Sequence, residues 1–341
     1  MRKTFTVFLI ILLFLTGLSG CRLARSDNTT KTAPAPKDTV SGTATQTGSK
    51  DFGQKPVSRK KLTIIATLFP QYDFARELAG EKAEIKLLLP PGMESHSYEP
   101  TPGDIITIQN SDIFLYTGDD MEPWVSGIVE NLGDAPIVAN LSDGISLQKE
   151  EEENHHHSET EAHHHLYNPH IWTSPVLAAK MVQNIETALI KADPDNKEFY
   201  QENSLRYQEK LKHLDQEFRE IASNTKHRKI YIGSRFSLLY FMEEYHFSYI
   251  AAYDSCEEEA EPSIKRVMSM IGDMKQNHVK AVYYEELTKP YIADTIAEAA
   301  DAKALLFHSC HNVSKEEFTS GATYLSLMEQ NVKNLKKGLE E

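Results

Sequence analysis

The residues in this chain best suited to chemistry are histidines at the ends of apolar runs. His96 lies in "PPGMESHSYEPTP", directly after "EIKLLL" (84–89). His170 lies in "NPHIWTSP". His308, Cys310 and His311 lie in "HSCHN", which begins just after "ALLF" (304–307). Arg235 follows "KIYIG" (229–233), and Glu285 follows "VKAVYY" (279–284). A single histidine in such a place is most often a surface or structural residue. Several at converging strand ends point to a transition-metal site, because neutral imidazole suits zinc, copper or nickel better than calcium or magnesium.

A second group of histidines reads differently. The stretch "EEENHHHSETEAHHHLYNPHIW" (151–172) holds seven of the chain's 14 histidines. His155, His156, His157, His163, His164 and His165 are interleaved with Glu150 to Glu153, Glu159 and Glu161. That run has no apolar pattern to bury, so the expectation is a mobile loop that gathers ions loosely. Its place inside the chain and its "SETEA" interruption argue against an added tag. His170 stands apart, set between Pro169 and Ile171–Trp172, where apolar anchors can hold a side chain rigidly.

The elements that must position these residues alternate. Short apolar runs recur at 62–67, 84–89, 113–116 and 136–139, and again at 229–233, 247–253, 279–284 and 304–307. Near-continuous apolar runs suit strands buried on both faces of a parallel sheet. Helical patterns such as "QYDFARELAG" and "YIADTIAEAADA" lie between them, so the expected fold is α/β. It has two lobes, each with a four-stranded, mainly parallel sheet flanked by helices. Between the two sets, Asn196 to Ala222 contains no Gly or Pro and repeats apolar residues at Phe199, Leu205, Leu211, Leu214, Phe218 and Ile221. That pattern predicts one long rigid helix joining the lobes, about 40 Å at 1.5 Å per residue. In open parallel sheets ligands bind beyond the carboxyl ends of the strands, where these histidines fall.

The N-terminus speaks to location. Arg2 and Lys3 precede nine apolar residues, Val7 to Leu15, too few for a membrane span of about 20 residues but suited to a secretory signal. "LSGC" ends at Cys21 and looks like a bacterial lipobox, whose cysteine is acylated and anchors the chain to the membrane. The following Thr-, Ser- and Pro-rich segment reads as a flexible tether. The expected layout is a signal peptide at 1–20, lipidated cysteine and tether at 21–60, and a first lobe at 61–190 with its histidine-rich loop at 150–165. A linking helix at 191–223 and a second lobe at 224–341 complete it. The lysine-rich tether favours a Gram-positive surface. Net charge is −14, and −16 from Cys21 onward because the first twenty residues carry two bases and no acid. Such a chain is a poor partner for nucleic acid and compatible with a cation ligand. Cys256 and Cys310 form an even pair in an exported chain, which favours a disulfide over two free thiols or two metal ligands.

These features together resemble the metal-binding lipoproteins of bacterial ABC uptake systems, the zinc/manganese solute-binding family. "LLPPGMESHSYEPTPGDI", "NPHIWTSP" and the long helix carry the resemblance, which spans about Leu62 to Leu339. "SCHNVSKEEFTSGATYLSLMEQNVKNL" places the chain with the zinc-type branch. The resemblance implies a monomer that captures one ion between its lobes and delivers it to a membrane permease, without catalysis. It implies His96 and His170 as ligands. A histidine of the family's pattern is replaced here by Arg235, which stays protonated and cannot ligate. The last ligand position falls on His308, so the expected set is His96, His170 and His308. The fourth place goes to water, Glu94 or Glu285, and Arg235 pairs with a nearby acid. Zn2+ is favoured over Mn2+, which prefers more oxygen donors. Two other classes are compatible with a metal site: a cell-surface metallohydrolase, which has neither an "HExxH" nor a Gly-x-Ser-x-Gly motif to support it, and an adhesin with a structural metal.

Overall fold

The computed structural model describes residues 60–133, 136–149, 167–253 and 262–339. Eight strands fall where the apolar runs lie. In the first sheet these are β1 (Leu62–Ala66), β2 (Ala83–Leu87), β3 (Ile113–Tyr116) and β4 (Ile137–Asn140). In the second they are β5 (Lys229–Ile232), β6 (Ser248–Ala251), β7 (Ala281–Tyr284) and β8 (Lys303–Leu306). Every pairing is parallel, and the orders are β2-β1-β3-β4 and β6-β5-β7-β8. The second sheet thus repeats the first. In each, the order reverses beside the first strand, and a crevice opens there at the carboxyl ends.

Helices cover the faces. The first half carries α1 (Phe69–Ala79), α2 (Pro102–Gln109), α3 (Trp124–Val129) and α4 (Pro175–Ala192). The long α5 spans Lys197–Asn224, 28 residues, close to the expected helix. Then come α6 (Leu239–Glu244), α7 (Ile264–Gln276), α8 (Tyr291–Ala300), α9 (Lys315–Ser320) and α10 (Tyr324–Leu339). Among the described residues no helix is long and apolar enough to cross a membrane.

The stripe that α5 buries runs through Tyr200, Ser204, Tyr207, Leu211, Leu214, Phe218 and Ile221, at spacings of three and four. Leu205 was expected on that face and is instead 65% exposed. Polar Ser204 and Asn203 take the buried places. Asn203 can do so because its amide donates to the Leu78 carbonyl at the end of α1. This stripe packs on α1, α4 and α10, so α5 touches helices from both halves. The core is correspondingly continuous. Phe74, Tyr207, Phe218, Phe241, Phe307 and Tyr324 belong to one buried cluster that includes residues of both sheets. At the end of β5, Gly233 lies against α8, where a Cβ would come within 2.7 Å of the Ala293 Cα. The helix therefore sits close beneath the turn that presents Arg235.

Candidate metal centre

Three loops supply the site. The loop after β2 carries His96, the segment before α4 carries His170, and the loop after β8 carries His311. One ligand-capable nitrogen from each lies within 4.8 Å of the other two. The Nε2 atoms of His96 and His170 are 3.3 Å apart. Two nitrogens bound to one tetrahedral zinc at about 2.0–2.1 Å stand roughly 3.3–3.4 Å from each other, so this spacing already fits a shared ion.

Neighbours fix which nitrogen each ring offers. His170 Nδ1 lies 2.9 Å from Asn168 Oδ1, which also accepts from the His170 backbone amide at 3.1 Å. An amide oxygen can only accept, so Nδ1 carries the proton and Nε2 presents its lone pair. His311 Nδ1 lies 2.9 Å from Ser309 Oγ, and that hydroxyl donates to Glu286 Oε1 at 2.6 Å. The hydroxyl proton is thereby committed to the carboxylate, so His311 Nδ1–H donates to the oxygen. His311 Nε2 is buried with no hydrogen-bond partner, as is His308 Nε2, but only His311 converges with His96 and His170. Burial, then the positive potential of His96, Arg235 and His308, push the His311 pKa well down and keep the ring neutral.

Direct contacts stitch the loops together across the two halves. Asn312, buried, donates both amide hydrogens to backbone carbonyls of the His96 loop, to Pro90 at 2.8 Å and Met93 at 3.0 Å. The Gly92 amide donates to the Val313 carbonyl at 2.8 Å. Trp172, two residues past His170, donates from Nε1 to the Ser309 carbonyl at 2.9 Å. Its own carbonyl accepts from the Tyr324 hydroxyl of α10 at 2.7 Å. The His96 loop and the segment carrying His170 therefore both touch the His311 loop.

His308, expected as a ligand, does not belong to the converging group. Its Nδ1 accepts from the Cys310 backbone amide at 2.9 Å, which uses the lone pair that a metal would need. Its Nε2 lies 3.6 Å from Glu317 Oε1 of α9, and its backbone exchanges hydrogen bonds with the Asn331 side chain of α10. Burial disfavours its charged form, yet Glu286 and Glu317 outweigh that and raise its pKa. The histidine that joins His96 and His170 is His311, three residues on. Cys310 makes the difference, because it adopts φ 62°, a left-handed turn that redirects the chain between the two histidines. The only advance signal was Ser309, placed to bond the ring of a histidine two residues later.

Cys310 is a free, fully buried thiol, its pKa pushed well up by burial and then by Glu286. Cys256, its expected disulfide partner, lies outside the described residues. So do Cys21 and the six loop histidines, His155, His156, His157, His163, His164 and His165.

The site opens on a small cavity of about 40 Å³, lined in part by Glu94, His96, Arg235, Glu285, Glu286 and His311. Arg235 pairs with an acid as expected: its Nη2 lies 3.1 Å from Glu94 Oε2. Burial works against the charged form of Glu94, but Arg235 and His96 hold its pKa below the usual range. Glu285 accepts from the amide and hydroxyl of Ser237. Burial and the neighbouring Glu286 push it up to about 8, so it is largely a neutral acid near pH 7. Neither Glu94 nor Glu285, the expected candidates for a fourth ligand, belongs to the converging group.

Comparison with known proteins agrees with this architecture. The family model described as "Zinc-uptake complex component A periplasmic" matches residues 64–338. The chain is similar to the high-affinity zinc uptake system protein ZnuA of Bacillus subtilis, 38% identical over 282 residues, 82% of this chain and 88% of that protein. It is also similar to the zinc-binding lipoprotein AdcA of Streptococcus pneumoniae, 33% identical over 284 residues; here the chain spans about half of the relative, 56% of its length. Among solved structures, the metal-dependent lipoprotein YcdH of Bacillus subtilis superposes with a TM-score of 0.70 at 33% identity, covering 82% of this chain and 99% of that one. The Zn(II)-bound ZnuA-like domain of Streptococcus pneumoniae AdcA does so with a TM-score of 0.70 at 29% identity, covering 83% and 100%. A family match over most of the folded chain, joined to two parallel sheets and a histidine cleft, places this protein in the ZnuA family of zinc-uptake components.

Proposed function

We propose that this protein captures a zinc ion between its two lobes, with His96, His170 and His311 as ligands, and passes it to the permease of an ABC uptake system. The observation that carries this reading is the 3.3 Å approach of the His96 and His170 Nε2 atoms, with the unpartnered Nε2 of His311 in the same group. That separation is one edge of a zinc tetrahedron. The relatives are named for zinc binding and zinc uptake, which supports the same ion. Manganese fits less well, because all three convergent donors are imidazole nitrogens.

Zinc is cargo here, and the protein is a carrier rather than an enzyme. Sequence features support an extracytoplasmic home: an apolar run suited to a secretory signal, a lipobox-like Leu-Ser-Gly-Cys ending at Cys21, and a Thr-, Ser- and Pro-rich stretch to about residue 60. The six histidines between 155 and 165 act as a loose collector of ions, distinct from the tight site. Two measurements test the reading. Titration with a competing chelator should find one tight zinc per chain, lost in His170→Ala. A deletion strain with no second zinc-binding lipoprotein should stop growing in chelated medium and recover on added zinc. Normal growth under zinc starvation would overturn the uptake role.

A further inference from the structure

Three carboxylates, Glu94, Glu285 and Glu286, line the cavity beside the histidine cluster, yet none belongs to the converging group. Each is engaged elsewhere. Glu285 Oε1 accepts from the Ser237 amide at 2.9 Å and the Ser237 hydroxyl at 2.8 Å. Glu286 accepts from the Ser309 amide and hydroxyl, both at 2.6 Å. Both are thus tied within the second half of the chain. Glu94 is held differently. Its Oε1 accepts from the Ser95 and His96 amides, while its Oε2 meets Arg235 from the loop after β5. It stands two residues before His96, so its loop is already at the metal.

Resting on the zinc reading above, we propose that Arg235 sets ion specificity by withholding the Glu94 carboxylate from the metal, so that imidazole nitrogens alone meet the ion. Hard ions such as manganese draw much of their affinity from carboxylate oxygens, whereas zinc is well held by nitrogen. A guanidinium stays protonated and cannot itself ligate, so it competes with the metal for the carboxylate without replacing it. The pair is sheltered, with side chains 17% and 23% exposed, and is screened less than a surface pair. Without Arg235, Glu94 Oε2 loses its counter-charge beside a site meant for a dication. The carboxylate then turns to the metal, and the donor set becomes three nitrogens plus oxygen.

The test compares Zn2+ and Mn2+ affinities of the full chain by chelator competition, for wild type, Arg235→Ala and Arg235→Ala/Glu94→Gln. Arg235→Ala should raise manganese affinity relative to zinc by about tenfold or more, a shift on the scale of one charge-assisted contact. The double variant should return the ratio to near the wild-type value, which a general loosening of the cleft would not do. An unchanged ratio in Arg235→Ala with zinc binding intact overturns this proposal alone. A ratio shift that persists in the double variant does the same. A wild-type chain that takes no zinc overturns the underlying site and this proposal with it.

Discussion

Replacing Asn312 with alanine separates building the site from ligating the ion. Asn312 is not a ligand. Its amide joins the His311 loop to the His96 loop through two hydrogen bonds, to Pro90 O and Met93 O. A buried neutral hydrogen bond contributes about 1 kcal/mol net, so the pair is worth ~2 kcal/mol of loop docking. If the ion must restore that docking on binding, the full amount appears as lost affinity. At 1.4 kcal/mol per factor of ten, zinc binding weakens by roughly 30-fold. The assay is a competition titration with a zinc chelator, run beside urea unfolding of the metal-free protein. Asn312→Asp is the companion variant, since it keeps the oxygen that accepts from the Val313 amide and loses both donors. The reasoning fails if Asn312→Ala binds zinc within about twofold of wild type while losing ~2 kcal/mol of stability. In that case Asn312 supports the fold and has no part in preparing the site.

Three further outcomes follow from the same structure. Asn168→Ala removes the acceptor that fixes the His170 tautomer, and zinc affinity in the same titration should fall 10–100-fold, the usual range for such a partner. Glu122 is fully buried among Thr67, Gln71 and the Thr117 and Gly118 amides, and burial raises it from 4.5 to about 7. The native state therefore keeps a proton that the unfolded chain releases between those values. Its stabilising share is present below the unfolded pKa and declines by ~3 kcal/mol as pH rises toward 7. Urea midpoints of metal-free Glu122→Gln should show that slope removed, and an unchanged slope between pH 5 and 7 would count against it. Deleting residues 150–165 should leave the single tight zinc and abolish weaker binding in calorimetry; loss of the tight site would contradict the division of roles among the histidines.

Much of the fold was legible because it rests on local pattern. Each apolar run became a parallel strand, and the charged segment from Asn196 to Ala222 became α5 within two residues at either end, although a linking helix drawn from 191 begins six residues early, inside α4. The pattern placed Leu211, Leu214, Phe218 and Ile221 on the buried face of α5 and missed only its N-terminal part. Leu205 is apolar and yet exposed, because Tyr200, Ser204 and Tyr207 define the stripe that meets α1 and α4. The convergence of His96 and His170 was legible from their places after strands and beside prolines. His311 was not, since "HSCHN" offers two histidines at nearly the same place. The choice between them is made by a left-handed Cys310 and a hydrogen bond from its amide, neither of which spacing reveals. Likewise, charge alone said that Arg235 needs an acid, but only the folded loops bring Glu94 to it rather than Glu285.

The most direct test of the central claim sets His311→Ala against His308→Asn, whose side-chain oxygen can still accept from the Cys310 amide. Zinc-edge X-ray absorption of each loaded protein would count nitrogen ligands, and chelator competition would give affinity. With His96, His170 and His311 as the ligands, His311→Ala loses one nitrogen from the shell and more than ~100-fold in affinity, beyond the cost of an outer-shell change. His308→Asn keeps the wild-type nitrogen count and stays within about tenfold of its affinity. The reverse pattern, a nitrogen lost in His308→Asn and an intact shell in His311→Ala, would contradict the site described here.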